Sequence, residues 1–184
     1  MEDRLDLEAG AQAIVARYDL TCRLLTTLIE WHTGTDHQGH HERDSLTSDA
    51  YAVSGVLLAR SLAEFLSSSG RFDDDWRATD FVDTAPPFDI RPFIEWVNKA
   101  IAHATRTDTG FLVSYVGLAH SLVSGMSRFV GAVEESNAEL AALFYDVQAR
   151  WQEHPVMGRP PLRSRSETGR GAPNRPPDFV WNPR

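Results

Sequence analysis

Between Ile14 and Trp151 apolar residues recur mainly at intervals of three and four, and no stretch alternates strongly enough to mark a sheet. That period belongs to the α-helix, whose successive turns stack such positions on one face. Ile14, Tyr18, Thr21, Leu25, Leu28 and His32 form a first stripe, widened by Val15, Cys22 and Ile29. It predicts an amphipathic helix from about Leu5 to Trp31, with Gly10 a mild interruption and Gly34 a stop. Residues 33–47 are polar and aperiodic, and read as a loop. Thr47 or Ser48 can cap a second helix from about Asp49 to Ser67. Its apolar residues (Tyr51, Val53, Val56, Leu57, Leu58, Leu62, Phe65 and Leu66) surround most of its circumference, which predicts a central helix.

The run Ser67-Ser68-Ser69-Gly70 ends that helix. Residues 71–88 read as an acidic loop holding Asp73-Asp74-Asp75 and Pro86-Pro87, with a turn of helix within Trp76–Phe81. A third helix is predicted from near Ile90 to about Ala104. Pro92 is tolerated in its first turn, and Ile90, Phe93, Ile94, Val97 and Ile101 make its core face. A fourth is predicted from Phe111 to Val133, with Tyr115, Leu118, Leu122, Met126 and Phe129 on its stripe. Ser136 and Glu139 match a capping box for a fifth helix with Leu140, Leu143, Phe144, Val147 and Trp151 on one face. A single helix running through Glu134-Glu135 fits the same period.

After His154 the pattern stops. Seven of the ten prolines and six arginines fall in residues 155–184, against only Glu167 and Asp178. Such a segment cannot build a core, so it reads as a disordered or polyproline-like tail behind a helical domain of residues 1–154. The closing Phe179-Val180-Trp181 is suited to docking on the body or on a partner. The expected fold is therefore all-α: an up-and-down bundle of four to five helices with a disordered C-terminal tail.

Composition adds limits. With 184 residues, 42% hydrophobic and 24% charged, the body can bury a core without metal or disulfide. One cysteine, Cys22, allows no internal disulfide, which fits a reducing, cytoplasmic setting. The start of the chain lacks the basic and apolar regions of a secretory signal, and no run is long and apolar enough for a membrane span. The net charge of −8 divides into about −12 on residues 1–154 and +4 on the tail, so long-range attraction to phosphate is confined to the arginine-rich tail. The tail is the expected contact for RNA or an acidic protein surface; a purely solubilising extension is the simpler alternative.

Three further groups carry candidate chemistry. His32, His37, His40 and His41, with Asp36, Glu42 and Asp44, are metal-ligand types in one loop, but their spacing matches no defined zinc site, and a solvated loop accounts for them. Lys99 and His103 share a helix face, with Asn98 beside it. His103 either covers terminal carbonyls or serves as a general acid/base in a polar pocket. Arg60 and Glu64 stand one turn apart in an apolar helix, as an ion pair would. Gly-rich phosphate loops, paired cysteines and nucleophile elbows are absent from the sequence. No cofactor is implied.

Three stretches, residues 57–66, 73–81 and 97–105, together resemble a group of bacterial helical proteins similar to the HEPN superfamily. The resemblance spans about Tyr51 to Phe144. It implies a helical bundle, a homodimer and, in the ribonucleases of that superfamily, metal-independent RNA cleavage at an arginine and a histidine four to six residues apart. His103 matches the histidine. Asn98 stands at the arginine's place, followed by Lys99, and Lys99 or Arg60 would have to supply the positive charge. The resemblance thus implies a dimerising domain that binds a protein or RNA partner, with an RNA endonuclease of toxin or defence type as the alternative. A metal-dependent enzyme using the His32–His41 loop is a third class.

Overall fold

A computed structural model of the chain describes residues 2–33, 45–69, 75–91, 93–94 and 115–157. It is all-α. Helix α1 covers Glu2–Thr33, α2 Ser45–Leu66, α3 Tyr115–Ser136 and α4 Ala138–Glu153, with a short 3-10 turn at Ala78–Asp80. Arg91, Phe93 and Ile94 are also helical. There the amides of Phe93 and Ile94 donate to the Ile90 carbonyl. The Asp89 carboxylate accepts the Arg91 amide at 3.1 Å and so caps this third helical start where the pattern placed it.

The predicted stripes are the core. Ile14, Tyr18, Thr21, Cys22, Leu25, Leu28 and Ile29 are buried on α1, and Tyr115, Leu118, Leu122, Met126, Phe129 and Val133 on α3. Helix α1 packs chiefly on α2, and α3 on α4. Arg17 meets Ser61 while Leu24 and Leu28 lie against Gly55, so α1 and α2 run antiparallel. Phe129 meets Phe144 and Ser127 meets Gln148, so α3 and α4 are antiparallel as well. At the centre Phe65, Phe81 and Phe129 contact one another edge to face at 5.0–5.9 Å, and Phe144 joins at 5.6 Å. Each such pair adds about 1 kcal/mol to the burial of the rings.

Three details depart from the sequence pattern. First, α2 begins at Ser45, so Thr47 and Ser48 fall within its first turn rather than just ahead of it. Second, α2 is not wrapped on all sides: Tyr51, Val53 and Leu57 are exposed. An apolar circumference shows that a helix can be buried, not that neighbours exist to bury it. Third, the choice between one helix and two resolves as two, and the cap is Asn137. Its Oδ1 accepts the Leu140 amide at 3.0 Å. Ser136 instead donates back to the Val133 carbonyl, as the last residue of α3.

The serine run ends α2 as expected, through a Schellman motif. The Ser69 amide donates to Glu64 and the Ser68 amide to Phe65, with Ser68 at φ 54° in the left-handed region. Beyond it, residues 75–91 do more than connect. Ala78, Phe81 and Val82 are buried, and Trp76 lies over Gly10. Gly10 is therefore no flaw in α1: a Cβ there would sit 2.7 Å from the indole. After α4 the chain stays packed through Met157, which is fully buried. Residues 158–184 lie outside the described part.

Two glycines on α3 give opposite expectations. A Cβ at Gly125 would lie 2.5 Å from Phe88 and 2.9 Å from Leu66, whereas nothing lies within 4 Å at Gly131. Gly125→Ala should destabilise by about 1–3 kcal/mol through overpacking, and Gly131→Ala should stabilise by about 0.5–1 kcal/mol through helix propensity. Urea unfolding of both variants checks this. By the same measurement, Asn137→Ala should cost about 1 kcal/mol and Ser136→Ala much less.

Candidate functional site

Of the residues singled out in the sequence, Arg60 is placed. Its Nε donates to Glu64 Oε1 at 2.9 Å, with both side chains mostly buried. The spacing of one turn had foreshadowed this pair, which braces α2. Asn98, Lys99 and His103 lie outside the described residues. So do His37, His40 and His41, the side chain of His32, and the tail arginines. Among the described residues no group of histidine, cysteine and carboxylate side chains has the arrangement to hold a metal ion.

Cys22 is fully buried, and burial pushes its thiol well above the ordinary range. The adjoining Tyr18 hydroxyl opposes that shift only in part. Cys22 therefore stays protonated and acts as a small core residue, not a nucleophile. His120 is half-buried on α3, and burial lowers its basicity, so its imidazole is neutral at pH 7.

The most developed polar constellation is one that the sequence shows only in part. It centres on Asp19, on the flank of α1 that faces α4. Asp19 Oδ1 accepts Arg150 Nη1 and Trp151 Nε1, each at 2.9 Å. Oδ2 accepts Arg23 Nε at 2.8 Å and pairs with Nη2 at 2.7 Å. Three hydrogen bonds and a further ion-pair contact take up most of the acceptor capacity of one carboxylate. Asp19 is thus an organiser rather than a free base. Helix periodicity places Arg23 one turn after Asp19, while Arg150 and Trp151 arrive from a helix more than a hundred residues later. The indole explains the register: Trp151 buries its rings in the core and needs an acceptor for its N–H.

Arg23 and Arg150 remain largely open to water, at 63% and 49% exposure against 18% for Asp19. Their other N–H groups make no hydrogen bond among the described residues. They stand at one end of an open groove between α1 and α4, also lined by Gln12, Val15, Ala16, Leu143 and Val147. A second, smaller recess lies between α1 and α2, where Arg17 donates to Ser61 at 2.7 Å beside Glu64, Asp75 and Trp76.

The outer surface of the α1–α2 pair differs in character. Leu20 is 48% exposed, Leu57 47% and Val53 43%. The antiparallel register sets Leu20 and the half-buried Leu24 level with Leu57 and the half-buried Leu58. No helix among the described residues is long and apolar enough to cross a membrane.

Asp19→Ala strands the buried Trp151 N–H and should cost about 1–3 kcal/mol. Arg23→Ala, at an exposed pair, should cost under about 1 kcal/mol. Thermal or urea unfolding of both variants separates the two roles. Comparisons with protein-family models, curated proteins and solved structures find no match to this chain.

Proposed function

We propose that this chain is a HEPN-like helical interaction module that pairs with a second copy of itself and binds a protein or RNA partner. The observation that carries the reading is the half-exposed aliphatic strip of Leu20, Val53 and Leu57 on the outer surface of α1 and α2. None of these three side chains is charged, and Arg60 and Glu64 on the same face of α2 neutralise each other, so the surface calls for no partner of opposite sign. A two-fold axis would set it against its own image, the common arrangement of homodimers. Arg60 supports a binding role over RNA cleavage: its guanidinium is engaged by Glu64 within its own helix, where it serves geometry.

The sign of the salt effect is part of the proposal. Two copies each carrying −8 repel, while the apolar strip attracts. Added salt screens the repulsion and leaves the attraction, so dimerisation should tighten from low to physiological ionic strength. Sedimentation velocity across concentration and salt measures this. The double variant Leu20→Glu, Leu57→Glu should be a monomer with unchanged far-ultraviolet circular dichroism. A wild-type chain that stays monomeric at high concentration and physiological salt overturns the reading, as does a double variant that dimerises like wild type.

A further inference from the structure

The groove between α1 and α4 is separate from the aliphatic strip on α1 and α2, and its chemistry is different. Val15, Ala16, Leu143 and Val147 supply apolar lining. Gln12 lies at one end, and Arg23 and Arg150 at the other. From Gln12 to Arg23 the axis of α1 advances about 16 Å, or three helical turns. Two guanidiniums face one carboxylate, and no other residue lining the groove is acidic. Within this lining the basic end keeps one surplus positive charge, with the exposed Asp146 one turn before Arg150 outside it, together with guanidinium N–H groups not used by Asp19.

Asp19 gives this end its order. By holding Arg23 from its own helix and Arg150 from α4, it fixes two cations at one place before any ligand arrives. An open groove of this length is ill-suited to enclosing a small molecule, which binds best in a concave pocket. It also lacks any aromatic side chain on which bases would stack, and one surplus charge neutralises little of a phosphate backbone. Apolar lining between a polar end and a cationic end is the pattern that receives an amphipathic helix.

From this charge complementarity we infer that the α1–α4 groove docks a short amphipathic helix of a protein partner. Apolar residues three and four apart meet Val15, Leu143 and Val147, and a carboxylate near one end meets Arg23 and Arg150. The inference rests on the interaction-module reading and names the chemistry of the partner.

The test uses the 184-residue chain and two fluorescein-labelled three-turn peptides, each with leucines three and four apart. One carries two glutamates at one end; the other has lysines in their place. Fluorescence anisotropy should show the glutamate peptide binding at least tenfold tighter, with affinity falling as salt rises. Arg23→Gln with Arg150→Gln should remove that preference, and Val147→Asp should abolish binding of both peptides. Arg23→Lys with Arg150→Lys should keep part of it. Circular dichroism establishes that each variant is folded, and sedimentation of the same samples reports dimerisation independently. Dimers without peptide binding overturn the groove assignment alone; peptide binding by a monomer overturns the self-association alone. Equal affinity for the two peptides, or binding unchanged in the Gln double variant, also overturns the assignment. A single-stranded RNA that displaces the glutamate peptide with higher affinity would reassign the groove to a phosphate chain.

Discussion

Four phenylalanines meeting edge to face hold this bundle in register. Phe65 comes from α2, Phe81 from the segment before the third helical start, Phe129 from α3 and Phe144 from α4. Each ring turns its edge toward the face of a neighbour, so none can shift without losing a contact with another. Ser61, one turn before Phe65 on α2, meets Arg17, and Trp151, two turns after Phe144 on α4, meets Asp19.

That register yields two surfaces of unlike chemistry on the flanks of one helix. Toward α2, α1 contributes Leu20 and Leu24 to an uncharged aliphatic strip. Toward α4, it contributes Asp19 and Arg23 to a polar cluster above an apolar groove. A helix that buries one stripe has two flanks left, and here they suit different kinds of contact: an uncharged mirror image on one side, a complementary charge on the other. The buried titratable groups stand apart from this. Cys22 and Tyr18 are both pushed toward their neutral forms by burial, so the interior of α1 is chemically quiet.

Sequence and structure agree most closely where burial and period coincide. The stripes of α1 and α3 were legible because every third or fourth apolar residue there is in the core. The acidic loop was not. Ala78, Phe81 and Val82 have no repeating spacing, yet they are buried, and Trp76 fills the space that Gly10 leaves on α1. The break between α3 and α4 was readable as an alternative. Which residue caps it was not, because Ser136 and Asn137 are both good caps and only the backbone direction selects one. Arg60 with Glu64 was legible because both partners sit on one helix. The Asp19 cluster was half legible: Arg23 lies one turn away, Arg150 and Trp151 on another element.

The amino-acid order alone therefore determined the all-α class, the core-facing stripes of α1, α3 and α4, and ion pairs made within a single helix. These depend on interactions over three or four residues, where helix geometry leaves no choice. Tertiary structure alone decided that α2 keeps an exposed apolar side and that Gly10 and Gly125 are needed where rings press on a helix. It also decided that Asp19 gathers donors from two helices. Those outcomes depend on which helices become neighbours and at what level, and that is fixed by the packing of distant side chains in a dense core.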